Sequence, residues 1–198
     1  EISADPANAE KRGLLLRMDR ELLSPPHIKK LYAIGHEVSA RSKKYTGVES
    51  EVLHPGITRA GFRCDSYGDY LFLPGRLHRW KRVDLVIRAM RYVRSPIRLK
   101  IAGKGEQEAE LRELAGNDER IAFLGFVSDE EMTELYANAL AVAFTPIGED
   151  YGYILHEAFK SEKAVLTCTD SGEPARFIRQ GKNGYAVEPE PRKIAEKI

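Results

Sequence analysis

The sequence predicts an α/β fold in which helices cover both faces of a parallel sheet, and three observations predict it. From Tyr70 onward, apolar runs of strand length alternate with segments of helical periodicity. Most of these runs end close to a glycine or a proline. The intervals between the runs suit helices of about ten residues, as in β-α-β units. Because such sheets bind ligands at the carboxyl ends of their strands, the turns that follow the strands are where we expect the site.

Apolar runs of four to six residues, with one shorter run at the end, predict the strands of the main sheet. In chain order they are residues 70–73, 97–102, 121–124, 139–144, 164–168 and 185–187. The second run alternates apolar and basic residues, as a strand with two different faces does.

Helical periodicity fills the intervals between these runs. The first stripe recurs at spacings of three and four, and consists of Val83, Val86, Ile87, Met90 and Val93. Leu111, Leu114 and Ala115 mark the second helix. Ser128 precedes Glu131 by three positions, which predicts a capping box at the start of the third. Further helices are expected through Glu157 and from Pro174.

The N-terminal third of the chain is less regular. Residues 1–28 are weakly patterned, whereas short strands are predicted at 30–35 and 52–53, on either side of a helix at 36–45. The pattern lapses from 57 to 69, which we interpret as a connecting loop or a domain boundary.

Composition excludes several classes of protein. The 198 residues are 42% hydrophobic and 31% charged, which is a globular composition, and the net charge of +1 argues against nucleic-acid binding. No apolar run approaches the length of a membrane span. Cys64 and Cys168 are too few for a zinc site or a disulfide framework, and Cys168 is expected to be a buried, inert thiol. These features favour a protein of the cytoplasm.

The turn after the first strand of the main sheet carries two cations, Arg76 and Lys81, beside a predicted helix N-terminus. Cations there oppose the helix dipole, which favours a clamp for a diphosphate. A basic surface turn is the alternative. In the next turn, Gly103 and Gly105 either let the backbone approach a ligand or form a tight turn. Glu108 stands where a dinucleotide fingerprint requires glycine, so that class of cofactor is excluded.

Residues 148–158 form the most acidic of these turns and the start of the following helix. Glu149 and Asp150 suit recognition of hydroxyl groups, because an ionised carboxylate accepts several hydrogen bonds. Glu157, deeper in the helix, is placed to accept from a ribose diol. The helix start offers backbone N–H groups for a phosphate, those of Tyr153, Ile154 and Leu155. The alternative is an ordinary connection with solvated acids.

Taken in order, these motifs resemble the C-terminal donor-binding domain of glycosyltransferase family 4 (group 1). The matching motifs are Gly75-Arg76 with Lys81 and Asp84, Ile101-Ala102-Gly103-Lys104-Gly105, Phe123-Leu124-Gly125, the stretch from Glu149 to Glu157, and Gly181-Lys182-Asn183-Gly184-Tyr185. The resemblance implies one half of the GT-B architecture, in which two Rossmann-like domains face a cleft. It assigns 1–57 to a remnant of the acceptor-side domain and the crossover, 58–69 to a linker, and 70–198 to the donor-binding domain.

The resemblance implies a role for each matching position. Arg76 and Lys81 would neutralise the departing diphosphate, Glu149 would hold hydroxyls of the donor sugar, and these three are the catalytic candidates. Glu157 would hold the ribose. The other donor-binding candidates are turn glycines, two residues that offer backbone groups to a nucleobase or merely enter a helix, and the helix-start N–H groups: Gly75, Gly103, Gly105, Phe126, Val127, Tyr153, Ile154 and Leu155.

The implied reaction moves a hexose, with retention of configuration, from a UDP-, GDP- or ADP-sugar to an acceptor that is a glycan, a lipid or a small molecule. We expect no metal and no cofactor, since cations replace the metal. The implied setting is cell-surface polysaccharide or glycolipid synthesis in the cytoplasm or at the inner face of the membrane, with at most peripheral membrane contact. The missing N-terminal domain is an expected partner, and we expect this chain alone to be inactive.

Two positions depart from the family pattern. Glu173 takes the place of a glycine, and Arg176 takes the place of a glutamate. These changes favour an alternative, a module that binds nucleotide-sugar without transferring it. A second alternative, a GT-B epimerase, is not expected to combine the paired acids with the turn of Arg76 and Lys81.

Overall fold

The computed structural model describes residues 6–24 and 27–198. The chain divides into two compact units, Glu1–Gly56 and Ile57–Ile198. Among the described residues, none of the helices combines the length and the apolar character that crossing a bilayer requires. The division into an acceptor-side remnant at 1–57, a linker at 58–69 and a donor-binding domain at 70–198 stays a prediction.

The first unit contains a long helix and a small parallel sheet. Its elements are helix α1 (Pro6–Leu22), strand β1 (Tyr32–Ala33), helix α2 (His36–Thr46) and strand β2 (Glu51–Val52). β1 pairs with β2 in parallel, and each of them overlaps a short predicted strand. Gly47 adopts a φ of 76° and ends α2 with a left-handed cap.

Helix α1 was not predicted, because residues 1–28 show weak patterning. The apolar side chains of α1 that would mark a buried stripe are exposed: Leu14, Leu15, Met18 and Leu22. These residues recur at spacings of three and four, as one side of a helix does, but no large apolar residue precedes Leu14 in the helix, so the stripe is short.

The second unit is built on a parallel sheet. Within residues 27–198, its strands are β3 (Tyr70–Pro74), β4 (Arg98–Ala102), β5 (Ile121–Gly125), β6 (Ala141–Ala143), β7 (Ala164–Cys168) and β8 (Gly184–Val187). Their order is β5-β4-β3-β6-β7-β8, and all neighbouring pairs are parallel. The predicted strands are confirmed, although β6 is shorter than 139–144. The order reverses direction between β3 and β6, which makes this pair the switch point of the sheet.

Helices follow the strands as predicted. They are the 3₁₀ helix Arg79–Lys81, α3 (Val83–Met90), α4 (Glu108–Ala115), α5 (Asp129–Ala137), α6 (Tyr153–Lys160), α7 (Glu173–Phe177) and α8 (Pro191–Ala195). The capping box of α5 is confirmed. Ser128 Oγ accepts from the N–H of Glu131 at 3.1 Å, and the Glu131 carboxylate accepts from the N–H of Ser128 at 2.7 Å. Neither α8 nor the 3₁₀ helix was predicted.

Core packing covers both faces of the sheet. Alternate residues of β3 point to opposite faces, so Leu71 and Leu73 join one cluster with α3 and α4. Tyr70 and Phe72 join another cluster, which contains Tyr136 of α5 together with residues of α6. The prediction of helices on both faces is therefore confirmed.

The residues before the sheet complete the second unit. Residues 57–69 have no regular secondary structure. They are held against α5, since Asp65 and Ser66 donate their N–H groups to Ala137 O at 3.0 and 3.2 Å.

Both cysteines are free. Cys168 is fully buried, as predicted, and burial raises the pKa of its thiol to about 12.

Candidate functional site

The charged turns after β3 and β6 meet at the switch point of the sheet. Lys81 Nζ forms an ion pair with the Glu149 carboxylate, and the two side chains are 29% and 22% exposed. The turns also touch through their backbones, because the N–H of Ile147 donates to Trp80 O at 2.8 Å. The structure thus brings together a cation and a carboxylate that are 68 positions apart in the sequence.

The backbone of Glu149 is fixed by the loop that follows β7. Its N–H donates to Ser171 O, and its C=O accepts from the N–H of Glu173, both at 3.0 Å. The loop can approach this closely because of Gly172, whose φ is 75°. A Cβ on Gly172 would lie 2.6 Å from Glu149 O. Glu149 therefore presents its side chain from a rigid backbone rather than from a loose turn.

Arg82 joins the ends of three strands and was missed by the sequence analysis. Its guanidinium donates to Thr145 O and Pro146 O, each at 2.8 Å. It also forms a bidentate pair with Asp170, at 2.8 and 2.6 Å. The turns after β3, β6 and β7 are therefore held by one side chain, which is 13% exposed.

The backbone of Arg82 is strained. Its φ of 49° and ψ of 45° are left-handed, a conformation that costs a residue other than glycine about 1–2 kcal/mol. Charge-assisted hydrogen bonds of the guanidinium offset this cost. The signal in the sequence is slight, a further basic residue directly before α3, since the partners lie 63 to 88 positions away.

The start of α6 lies beside the turn after β3. Gly152 is its N-cap, with a φ of 83° and no side-chain cap. A Cβ on Gly75 would lie 3.5 Å from the Ile154 side chain, so these two segments adjoin. The N–H of Leu155 donates to Gly152 O at 3.1 Å. Of the three predicted donors, Tyr153 and Ile154 keep N–H groups without a hydrogen bond to any described residue.

Gly103 and Gly105 pack against the protein's own backbone. A Cβ on Gly103 would lie 1.9 Å from Gly75 O, and a Cβ on Gly105 would lie 2.2 Å from Leu77 O. The tight-turn interpretation accounts for both glycines. Contact of either one with a ligand stays a prediction.

The turn after β5 presents apolar surface. Phe126 is 78% exposed, and Val127 is half-buried beside it. Together with Leu124 and Leu135 they line a shallow, mostly apolar pocket, whose lining also includes Glu130, Glu131 and Glu134. A planar apolar group such as a nucleobase suits this surface. The predicted contact of a nucleobase with the backbone groups of Phe126 and Val127 stays a prediction.

Glu157 lies in α6, as predicted, and its carboxylate has two neighbours. Its Oε2 accepts from the Tyr136 hydroxyl at 2.9 Å. Its Oε1 lies 3.9 Å from Arg59 Nη1. The side chain is 15% exposed. Burial, and then the charge of Glu157, raise the pKa of Tyr136 well above its usual value, so this hydroxyl remains a donor at neutral pH.

The remaining predicted residues differ in their surroundings. Arg76 is exposed and forms no ion pair with any residue in 6–24 or 27–198. Glu173 and Arg176, the two departures, form a pair three positions apart in α7, with a distance of 3.8 Å. Glu173 is buried and Arg176 is exposed. The two unusual charges therefore partly compensate each other.

Comparison with known families agrees with this geometry. Residues 62–198 match the family model described as glycosyl transferases group 1. The chain belongs to the glycosyl transferases group 1 family. Its Rossmann-like parallel sheet, with helices on both faces, matches the domains of GT-B glycosyltransferases.

The chain is similar to a curated relative from an archaeon. The uncharacterized glycosyltransferase MJ1607 of Methanocaldococcus jannaschii is 32% identical over 120 residues, which cover 58% of this chain and 30% of the relative. This chain thus spans less than a third of that protein.

Solved structures share the fold at low sequence identity. Anabaena Alr3699/HepE in complex with UDP and glucose superposes with a TM-score of 0.79 at 20% identity, over 91% of this chain and 55% of that one. The pneumococcal O-GlcNAc transferase GtfA in complex with UDP and GlcNAc gives 0.67 at 19% identity, over 90% and 39%. TarM of S. aureus gives 0.73 at 16% identity, over 98% and 40%. This chain spans about half of the length of these solved chains or less.

Proposed function

We propose that this chain is the donor-binding half of a retaining glycosyltransferase of family 4, which moves a hexose from a nucleoside diphosphate sugar to an acceptor. Membership of the glycosyl transferases group 1 family supports the proposal. The observation that carries it is the pairing of Lys81 with Glu149 at the switch point, beside the start of α6. Cations, a carboxylate and N–H groups without hydrogen bonds to any described residue, gathered at one edge of the sheet, match the chemistry of a diphosphate joined to a sugar.

The diphosphate is the proposed partner of the cationic groups at this edge. Lys81 supplies a point charge, Arg76 supplies a fork of donors, and the N–H groups of Tyr153 and Ile154 lie at the positive end of α6. These groups would stabilise the charge that develops on the leaving diphosphate, and such electrostatic stabilisation commonly contributes more to the rate than any other single effect. We propose that they make a divalent metal unnecessary.

Glu149 is the proposed contact of the transferred hexose. Its fixed backbone holds the carboxylate near Lys81, and hence near the bond between sugar and diphosphate. A diphosphate at this place would compete with Glu149 for Lys81, which would leave carboxylate oxygens to accept from sugar hydroxyls. Donor binding would thus replace the Lys81–Glu149 ion pair by contacts of Lys81 with the diphosphate and of Glu149 with the sugar.

The nucleoside is proposed to lie between Glu157 and the turn after β5. Glu157 would accept from the ribose diol, and Phe126 and Val127 would contact the base on the apolar surface that they line. The three solved relatives described above, Alr3699/HepE, GtfA and TarM, were all crystallised with UDP, which makes UDP the first nucleotide to test.

The acceptor is proposed to bind the part of the protein that lies outside this chain. The chain spans 55% of the Alr3699/HepE chain and 30% of the archaeal relative. We propose that residues 70–198 bind the donor, that 58–69 link, and that 1–57 belong to the acceptor side. The acceptor would be a glycan, a lipid or a small molecule used in the synthesis of cell-surface polysaccharide or glycolipid, and transfer would take place in the cytoplasm.

A thermal-shift panel tests the donor site. UDP, GDP and ADP, each at millimolar concentration with EDTA present, should include at least one ligand that raises Tm by several degrees, because a ligand at 100 times its Kd adds about 2.7 kcal/mol. Lys81→Ala and Arg76→Ala should abolish the shift. Arg88→Ala, which removes an exposed cation paired with Asp84 on α3, should not. If none of the three nucleotides shifts Tm, the donor-site assignment fails.

A second candidate is a module that binds nucleotide-sugar without transferring it. The buried Glu173 and its partner Arg176 favour this candidate, since they replace residues of the family pattern next to Glu149. A longer chain that includes the acceptor side separates the two functions. Release of the nucleoside diphosphate from a sugar nucleotide only when acceptor is present indicates transfer. Binding of the sugar nucleotide without this release indicates the module.

A further inference from the structure

Tyr136 is the largest fully buried side chain among the described residues, and it contacts Glu157 with its polar end. Its ring packs edge-on against Phe72, with 5.0 Å between centroids, and against Phe62, at 5.5 Å. A tyrosine ring that packs against aromatic neighbours on two sides has little freedom to rotate. Its hydroxyl is therefore held in one position, where it donates a hydrogen bond to Oε2 of Glu157.

The carboxylate of Glu157 is constrained from a second direction. Arg59 Nη1 lies 3.9 Å from Oε1, and Arg59 Nη2 is itself held by Asp129 at 3.0 Å. An ionised carboxylate has about four acceptor positions, of which the Tyr136 hydroxyl uses one. A pair of hydroxyls on adjacent carbons can use two of the remainder. The arrangement fixes the rotation of the carboxylate and leaves it able to accept a diol.

Packing alone does not explain a tyrosine at position 136. A phenylalanine would fill the same aromatic cavity without burying a hydroxyl, and burying a hydroxyl has a cost unless it is hydrogen-bonded. The hydroxyl of Tyr136 reaches a partly exposed carboxylate instead of a core carbonyl. The neighbouring Tyr70 is different, because its hydroxyl donates to a backbone oxygen, Leu135 O, at 2.8 Å.

We propose that Tyr136 is a positioning residue that orients the Glu157 carboxylate toward the 2′- and 3′-hydroxyls of the donor nucleoside diphosphate, and so sets the preference of this site for ribonucleotides. The inference rests on the proposed function, in which Glu157 holds the ribose. It adds a residue that touches no part of the donor and acts through Glu157 alone.

The test compares two ligands on the same protein. Among UDP, GDP and ADP, the nucleotide that binds most tightly is titrated calorimetrically against its 2′,3′-dideoxy analogue. The 198-residue chain should prefer the ribonucleotide roughly 10- to 100-fold, as expected for hydrogen bonds to a carboxylate. Tyr136→Phe should lower this ratio about three- to tenfold and leave the affinity for the dideoxy analogue unchanged, because that analogue has no diol for Glu157 to hold.

Tyr70→Phe is the matched control. It removes the hydroxyl of a buried tyrosine in the same core cluster, whose partner is a backbone oxygen of α5 and not Glu157. It should lower Tm about as much as Tyr136→Phe does, and it should leave the ratio of the two affinities unchanged. Glu157→Gln should reduce the ratio, and Tyr136→Phe added to Glu157→Gln should reduce it no further.

The outcomes separate this inference from the proposed function. If the wild-type chain binds none of the three ribonucleotides, the donor site and the role of Tyr136 both fail. If it binds one of them but Tyr136→Phe lowers both affinities equally, or leaves their ratio unchanged, Tyr136 is merely structural and the donor site stands. A lowered ratio in Tyr70→Phe as well would also overturn the specific role of Tyr136.

Discussion

Lys81 and Glu149 form an ion pair between the turns that follow β3 and β6, the two strands at which the order of the sheet reverses. The pair lies at the edge where ligands bind in sheets of this topology. Each residue thus has its charge compensated by the other. A donor that binds there must compete with this pair, and the competition makes the relationship testable.

We expect Glu149→Gln to raise the affinity for UDP about three- to tenfold, because Lys81 is released from a partly buried ion pair worth about 1 kcal/mol. The same change should remove most of the extra affinity that a sugar nucleotide shows over UDP. Calorimetric titration with UDP and with UDP-sugars measures both changes in affinity. Glu110→Gln, which neutralises an exposed carboxylate on α4, controls for net charge. A fall in UDP affinity would contradict the competition between Glu149 and diphosphate.

Arg82 gives a prediction about stability. Arg82→Ala should lower the free energy of unfolding by about 2–3 kcal/mol, because it removes charge-assisted hydrogen bonds to Thr145, Pro146 and Asp170. Arg82→Gly loses the same bonds but relieves the left-handed backbone, so it should be about 1 kcal/mol more stable than Arg82→Ala. Urea unfolding measures both variants.

Asp170→Asn completes the Arg82 series. The guanidinium keeps its two carbonyl partners in this variant, so the loss should be smaller than in Arg82→Ala. A glycine variant no more stable than the alanine variant would show that the backbone of Arg82 is not strained.

The buried thiol of Cys168 predicts a dependence of stability on pH. Its pKa is raised to about 12 in the folded protein, from an ordinary value of 9.0. Above pH 9 the unfolded chain loses a proton that the folded chain keeps, so stability falls as pH rises. Between pH 8 and pH 10 this group should cost about 1.4 kcal/mol. Urea unfolding of wild type and Cys168→Ala should differ by that amount in pH dependence, and equal slopes would contradict the assignment.

Much of the fold was readable from local patterns. The strands of the main sheet follow apolar runs, and the Ser128–Glu131 capping box marks the start of α5. The meeting of Lys81 and Glu149 followed from a topological rule, since both residues come after strands of one parallel sheet. Local pattern and a general rule were sufficient here because apolar burial and strand ends determine these positions.

Other features left little or no local signal. Helix α1 carries only a short apolar stripe, from Leu14 to Leu22, which lies on an exposed side and was not recognised in the sequence. Arg82 binds backbone carbonyls and a carboxylate that lie far along the chain, and any residue can supply a carbonyl. The hydrogen bond from Tyr136 to Glu157 joins two helices 21 positions apart, and only packing decides which hydroxyl meets which acid. Such contacts depend on tertiary structure, not on sequence spacing.

Gly172 links the fold to the candidate site, and its replacement is the most severe change that we predict. In Gly172→Ala the new Cβ would meet the Glu149 backbone at 2.6 Å, at a residue whose φ of 75° and ψ of −133° favour glycine. We expect a loss of about 3 kcal/mol in urea unfolding, together with loss of the Tm shift by nucleotide. Gly148→Ala is the matched control in the facing loop. Its φ is 54°, but nothing lies within 4 Å of the added Cβ, so it should cost only about 1 kcal/mol. Equal losses in the two variants would show that backbone conformation, and not the close approach to Glu149, requires glycine at position 172.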